Sequence, residues 1–370
     1  MRVTAVEVIT NGFDLDEPLF DARSRITQRH QVLVRIEAED GSVGWGEAAA
    51  FGGSHELVAV AIKQLAAPLI GHPARPRETA RSLLRDTAHY GHVGVVVSAI
   101  SGIEIALWDL QGAASGLDLS ALLGGEARPV RWYGTTGFYR GGSRADEVTV
   151  LRDDLAAALD SDPSGLKIKV GRHGVDEAIG RAHQARAALG PERLLILDAN
   201  NAFTVPEALR VMSGVRELDI LFFEEPIPFG NPDASRELRL SGAVPVGGYE
   251  LDPTFAGCRR YLEARAVDYI QPDACWSGGI AETMAIADLA HRLDLGFVPH
   301  NFSSIVATAA NYHVVSAVGG DLIELDLTGN SASDPSVLRT MGWRMEGGYL
   351  QAPSSPGLGL VSVGEWASHA

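Results

Sequence analysis

Six residues of metal-binding or proton-moving type recur along the chain at nearly even intervals, and a seventh follows. They are Lys169, Asp198, Glu224, Glu250, Asp273, His300 and Glu324, at successive separations of 29, 26, 26, 23, 27 and 24 positions. Each closes a short apolar run: GLKIK, LLILD, DILFFE, VPVGGYE, VDYIQPD, LGFVPH and LIE. A strand of about 5–6 residues, a helix of about 11–12 and two short loops add up to roughly 25. The rhythm therefore predicts one functional residue per β/α unit, at the C-terminal end of its strand. In a (β/α)8 barrel that end is where active sites are built.

A barrel takes about 250 residues, so a chain of 370 has a second region to place. The first third does not follow the rhythm. Residues 3–10 (VTAVEVIT) and 30–37 (HQVLVRIE) alternate as strands do, and GSVGWGEAA follows a turn at Asp40–Gly41; a small antiparallel sheet is expected. Residues 56–70 and 76–86 read as helices, and a longer helix is expected from Val95 to Gly116. The fold class is thus α/β: a (β/α)8, TIM-like barrel over residues 126–345, with an N-terminal α+β capping domain over 1–125. Residues 346–370, with PGLGLVSVGE, have no barrel unit left to complete and are expected to return to the capping domain. Within the barrel, Gly190 is positioned to end a helix over 175–189. Thr204-Val205-Pro206-Glu207 reads as a capping box that opens the next helix.

Composition narrows the partners. A formal charge of −16 argues against nucleic acid, whose binding needs clustered Lys and Arg. Two cysteines, Cys258 and Cys275, imply no disulfide framework, and MRVTAVEVITNGF is too short and too alternating for a signal peptide. The most apolar region, Gly94 to Trp108, is interrupted by Ser98, Ser101 and Glu104. A cytoplasmic protein without membrane or nucleic-acid partner, taking a small-molecule substrate and forming a homo-oligomer, is expected.

Asp198, Glu224 and Glu250 would converge from successive strand ends. Unneutralised, they would repel strongly, and a hard divalent cation resolves this; all-oxygen ligation suits Mg²⁺. Lys167 and Lys169 alternate along one strand and face the same side. Two ammonium groups there disfavour each other's charge, which predicts a lysine pKa lowered toward that of a useful base. Asp273 and His300 end adjacent strands, so a carboxylate–imidazole hydrogen bond that fixes the tautomer is expected.

These motifs together resemble the enolase superfamily, and within it the mandelate racemase subgroup. GWGE at 44–47, ALWDLQG at 106–112, LLGG at 122–125 and PGLG at 356–359 are similar to segments of that family's capping region. KIK at 167–169, DAN at 198–200, FEEP at 223–226, QPD at 271–273 and PH at 299–300 are similar to its barrel motifs. The resemblance implies Asp198, Glu224 and Glu250 as Mg²⁺ ligands, with Glu225 just behind the metal. It implies Lys169 as one base and His300, held by Asp273, as the other, roles general to that superfamily. Lys167 would neutralise the substrate carboxylate, Glu324 would hydrogen-bond the developing enediolate, and Asn200 would contact substrate. One departure is Tyr249, where the family usually has Gly. QPDACWSGG carries no lysine, unlike muconate-cycloisomerase-like and dipeptide-epimerase members, and Glu250 stands where glucarate-dehydratase-like members have Asn.

The implied reaction is removal of the proton α to a carboxylate. β-Elimination of water from an acid sugar is the leading expectation, supported by the polar residues of 14–25 and by HYGH at 89–92. Racemisation or epimerisation is the alternative, which an apolar pocket of Phe13, Phe20 and Phe51 would favour. A non-catalytic binding member of the family is the remote one.

Overall fold

The computed structural model describes residues 1–329, 334–361 and 363–367. The N-terminal sheet has the order β1 (Val3–Phe20), β2 (Arg25–Ala38), β3 (Val43–Glu47), antiparallel throughout. The first two strands run much further than the alternation at 3–10 and 30–37 predicted. Phe13 and Leu15 continue the half-buried face beyond Thr10, so residues 14–25 form the far end of a long hairpin, with a register break between Asp14 and Leu19.

Two helices pack on this sheet, α1 (His55–Ala66) and α3 (Val95–Ser115), the latter closed by left-handed Gly116, while α2 (Pro76–Asp86) packs on α3. Val32, Val34 and Ile36 meet Ile62, Ile103, Leu107 and Leu110 in a separate core. Helix α3 is long and apolar enough to cross a membrane, yet it is a core helix, mostly buried. Close approach explains one motif: a Cβ on Gly46 of GWGE would stand 2.2 Å from the Gly102 carbonyl of α3. After α4 (Leu119–Leu122) the chain enters the barrel.

Eight parallel strands follow: β4 (Val130–Thr136), β5 (Gly165–Lys169), β6 (Leu194–Asp198), β7 (Ile220–Glu224), β8 (Val246–Gly248), β9 (Tyr269–Ile270), β10 (Gly296–Phe297) and β11 (Leu322–Asp326). The hydrogen-bonded order runs β10-β9-β8-β7-β6-β5-β4, with β11 on the other side of β4. Between them lie α5 (Arg144–Leu159), α6 (Val175–Leu189), α7 (Val205–Val215), α8 (Pro232–Leu240), α9 (Phe255–Glu263), α10 (Ile280–Arg292) and α11 (Ile305–Val318). Helix α6 ends at Gly190 and α7 opens on the Thr204–Glu207 capping box, as the sequence predicts. Alternation splits the strands: Leu195 and Leu197 join the outer core with the helices, while Ile196, Phe222 and Tyr133 fill the interior.

The last segment divides its contacts. A hairpin of β12 (Arg344–Glu346) and β13 (Tyr349–Gln351) adds antiparallel to β4, so this part joins the barrel sheet. Beyond it the backbone N–H of Leu358 donates to Asp109 of α3 (2.7 Å), and Asn11 donates to the carbonyl of Ala367 (2.8 Å). Residues 362 and 368–370 of this expected return lie outside the described residues.

His313 of α11 is buried beneath this segment. Its Nδ1 accepts from the Ser120 N–H (3.2 Å), and its Nε2 faces the Leu358 carbonyl (3.2 Å). Only the neutral Nε2–H tautomer satisfies both, since a protonated Nδ1 would confront a donor. Burial lowers the His313 pKa to about 4. The unfolded chain therefore binds the proton first, and this contribution to stability is lost as pH falls from 6.5 through 4. The expected cost is about 2–3 kcal/mol by pH 4.5. Urea unfolding of His313→Gln at pH 7 and 4.5 should show a smaller drop between the two than the parent; an equal drop would refute the assignment.

Candidate active site

Parallel register brings the strand ends together. Lys169 is the Cα partner of Asp198, and Asp198 that of Glu224. Lys169 Nζ reaches Asp198 Oδ2 at 2.5 Å. Lys167 Nζ lies between Glu224 (2.9 Å) and Glu324 (2.8 Å), with Asp198 at 3.9 Å. Gln271 donates to Glu224 Oε2 at 2.9 Å. Backbone strain concentrates here: Asn200, Asn201 and Glu225 all take positive φ, which costs of order 1 kcal/mol or more each and is held by surrounding contacts. The Asn200 N–H donates to Asp198 Oδ1 (2.9 Å), and the Asn201 amide to Glu225.

On the opposite side, His300 Nδ1 meets Asp273 Oδ2 at 3.1 Å and Nε2 meets Glu250 Oε2 at 2.9 Å. Asp273 is itself fixed, accepting from the Asn311 amide (3.0 Å) and the Cys275 N–H (2.9 Å). Glu250 leaves the sheet just after β8. Tyr249, the departure from the family pattern, is buried and turns away, its ring stacked on Tyr261 at a centroid distance of 4.2 Å. Its bulk is therefore kept out of the mouth.

Electrostatics corrects two expectations. Burial by itself lowers the pKa of Lys167 and Lys169, but the Glu224 and Glu324 carboxylates outweigh it for Lys167, and Asp198 for Lys169, so both lie above the ordinary lysine value. The mutual repulsion of the ammonium groups is the smaller effect, because each has a carboxylate closer than its twin. Glu324 also differs. Burial would raise its carboxyl, but Lys167 and His300 hold it below the usual range, and it accepts from Thr135, from the Asn301 N–H (3.0 Å) and from Lys167. It is an ionised acceptor here, whereas a donor to an enediolate needs a proton.

The carboxylate set fits a hard cation in kind. Burial pushes Glu224 up to about 7 and, with Glu250 and Asp198 close by, pushes Glu225 well up. Such crowding of acids is what a divalent ion relieves. Among the described residues no three His, Cys, Asp or Glu side chains form a closed ligand cluster. Asp198, Glu224 and Glu250 are paired instead with Lys169, Lys167 and His300, whose positive charge offsets theirs.

A cavity of about 740 Å³ opens between the barrel mouth and the β1–β2 hairpin, lined by Lys169, Asn200, Glu250, His300 and Glu324 among others. Lys167, Asp198, Glu224 and Asp273 are buried a layer deeper and do not line it. Phe13 and Phe51 line it, as do Asp21, Arg23 and Arg25, whereas Phe20, Asp14, Asp16 and Glu17 do not. The HYGH segment at 89–92 is exposed and takes no part. Arg29, Asn201 and Phe302 are wall residues that sequence reasoning passed over. Asn201 follows the DAN motif directly and Phe302 lies two positions after His300, so proximity could have flagged both; Arg29 carried no such signal.

The capping domain is tied to the mouth by buried acids from its motifs. Glu47 of GWGE accepts from the Ser304 hydroxyl (2.6 Å) and N–H (3.2 Å) and from the Ala307 N–H (3.1 Å), at the start of α11. Glu104 accepts from the N–H groups of Ile280 (2.8 Å) and Ala281 (3.1 Å), opening α10. Asp109 accepts from Trp45 (2.7 Å) and Leu358 (2.7 Å), joining ALWDLQG to GWGE and PGLG. Each carboxylate satisfies donors that a helix start or loop leaves unpaired. Glu47→Ala should cost roughly 3 kcal/mol by leaving three buried donors unmatched; a denaturation midpoint equal to the parent's would contradict this.

Comparison with known proteins agrees with this layout. Residues 3–124 match the family "Mandelate racemase / muconate lactonizing enzyme, N-terminal domain", and residues 151–365 match "Enolase C-terminal domain-like". The chain is 34% identical to the arabinonate dehydratase of Saccharolobus solfataricus over 335 residues, covering 89% of this chain and 87% of that protein. It is 34% identical to the D-galactarolactone cycloisomerase of Agrobacterium fabrum over 371 residues, covering 97% and 96%. The crystal structure of the 3,6-anhydro-D-galactonate cycloisomerase from Zobellia galactanivorans superposes with a TM-score of 0.86 at 28% identity, over 100% of this chain and 99% of that one. With a capping domain and a barrel that match in sequence and in fold, the chain belongs to the mandelate racemase subgroup of the enolase superfamily.

Proposed function

We propose that this protein is an acid-sugar dehydratase, removing the proton α to a carboxylate and expelling a β-hydroxyl as water to give a 2-keto-3-deoxy acid. The observation that carries this reading is the pairing of two proton-transfer groups, Lys169 and the Asp273-backed His300, on the wall of one cavity. The names of relatives such as the arabinonate dehydratase support it.

A bound Mg²⁺, held by Asp198, Glu224 and Glu250, would polarise the substrate carboxylate and lower the cost of negative charge there. The chain's own side chains do the rest. Asp198 and Glu250, which keep Lys169 and His300 protonated in the ion-paired arrangement, would be drawn off by a bound cation. One of the two groups, in its neutral form, then takes the α-proton, and the C–H electron pair moves into the bond to the carboxyl carbon. As the β-carbon–oxygen bond breaks, the other group delivers a proton to the departing hydroxyl. The enol then takes a proton at C3 and becomes the ketone. Asp273 keeps His300 oriented, and Asn200 faces the substrate. Lys167, beneath the floor, offsets the charge of Glu224 and Glu324 under the carboxylate end and makes no exposed contact.

A cycloisomerase is the second reading, favoured by the two relatives of nearly complete mutual coverage that bear that name. It uses the same proton abstraction but breaks a ring carbon–oxygen bond, so no water is lost. Incubation of acid sugars and their lactones with protein and Mg²⁺ in D2O separates the outcomes by mass spectrometry. A keto product lighter by one water supports the dehydratase, and an isomeric keto product supports the cycloisomerase. Exchange of the α-proton without keto product would mark a racemase or epimerase, and neither exchange nor product across the panel would refute all three.

A further inference from the structure

We propose, building on the acid-sugar reading, that the substrate is a dicarboxylate: a six-carbon aldaric acid whose far carboxylate is anchored by the arginines of the capping hairpin. The cavity segregates charge. Its acids Glu225, Glu250 and Glu324 stand at the barrel end, beside Lys169 and His300, while Arg23, Arg25 and Arg29 stand at the capping end. The one acid on that side, Asp21, is committed to the backbone N–H groups of Arg23 (2.7 Å) and Ser24 (2.6 Å). Among the described residues no carboxylate pairs with Arg23 or Arg25. In a chain of net charge −16, an arginine-rich wall facing a substrate cavity departs from the general pattern of the surface. A low-dielectric cleft lined by one sign of charge concentrates ligands of the other.

Arg29 sets the distance. It is buried, ion-paired to Asp326 at the end of β11, and its guanidinium lies 3.7 Å from the centroid of the Phe302 ring. Lys169 Nζ lies 5.8 Å from the same centroid. The cation at the reacting carbon and the cation at the roof therefore share the Phe302 ring and lie within roughly 10 Å of each other. Four extended C–C bonds, from the reacting carbon to the far carboxyl carbon of a hexarate, span about 5 Å, which with a hydrogen bond at each end is on the scale of that limit. A guanidinium offers five donors in a fork that matches a carboxylate, and among the described residues Asp326 is the one side chain that accepts from Arg29. The names of relatives do not decide the matter, since arabinonate is a monoacid and galactarolactone derives from a diacid.

The test measures binding and chemistry separately. Galactarate, galactonate and galactonate 6-phosphate are titrated calorimetrically into the Mg²⁺-loaded protein, and exchange of the α-proton in D2O is followed in parallel. Galactarate is expected to bind at least about tenfold more tightly than galactonate, with a preference that shrinks as salt rises. Arg23 and Arg25 are exposed, so Arg23→Ala and Arg25→Ala do not threaten the fold. Each is expected to cut the galactarate-to-galactonate affinity ratio severalfold, and the double variant about tenfold. Galactonate binding as tightly as galactarate, or a ratio unmoved in the double variant, overturns the proposal. Tighter binding of the 6-phosphate than of galactarate also overturns it, assigning the arginines to a phosphate. Preferential galactarate binding without α-proton exchange upholds the anchor and refutes the dehydratase reading instead.

Discussion

Lys169→Ala and His300→Asn are each expected to reduce turnover by about 10²–10⁴-fold, the usual yield of a positioned acid or base, but to do so differently on the two α-configurations of a substrate. The geometry behind this is the separation of the two groups. Lys169 leaves β5 and is held by Asp198, while His300 follows β10 and is held by Asp273 and Glu250. On the proposed mechanism, a planar intermediate between them would exchange its α-proton with the lysine on one face and with the imidazole on the other. Exchange of the α-proton with D2O, measured for both C2 epimers, should therefore vanish for one epimer in Lys169→Ala and persist for the other; His300→Asn should show the reverse. Equal losses on both epimers in both variants would remove the division of labour. The variants should also differ in stability. Removing Lys169 leaves Asp198 buried without its closest cation, whereas His300→Asn leaves Glu250, partly exposed, facing a neutral amide.

Asp198→Asn is expected to lower kcat by at least about 10³-fold, the scale of losing one preorganised stabiliser of developing negative charge. Mg²⁺ titration should show heat of binding for the parent and none for the variant. The substitution keeps the shape of the side chain and an oxygen able to accept from the Asn200 N–H, so the local turn should survive. It removes the charge that Lys169 contacts, and breaking a buried ion pair costs roughly 3–5 kcal/mol. A lowered melting temperature with intact near-ultraviolet circular dichroism is therefore consistent with the assignment. Unchanged Mg²⁺ binding and activity would refute it.

The strand-end rhythm was legible because a β/α unit is a local object. Strand, helix and loops each have narrow length preferences, so a residue at the end of one strand announces the next about 25 positions later. The Asp273–His300 contact followed from the same logic, since both close adjacent units. The state of the lysines was not legible. KIK suggests two repelling ammonium groups, but the nearest charges to Lys167 are Glu224 and Glu324, 57 and 157 positions away. Sign and size of a pKa shift depend on distances of a few ångströms between strands that the chain reaches only after long detours. The hairpin from Val3 to Ala38 was under-read for a related reason. Its far half alternates mostly between half-buried and exposed residues, with Leu19 and Arg29 among the few buried ones, because it faces a cavity rather than a packed core.

The sequence by itself determined the barrel, the capping domain and the list of side chains at the strand ends, because hydrophobic period and element length are local properties. Only the tertiary structure decided which of those side chains meet the substrate cavity and which lie beneath it. It also supplied the roof: Arg29 and Asp326, 297 positions apart, meet because a hairpin from one domain closes over the mouth of the other. Such contacts are set by how two packed bodies dock, and no local pattern in the chain encodes their distance.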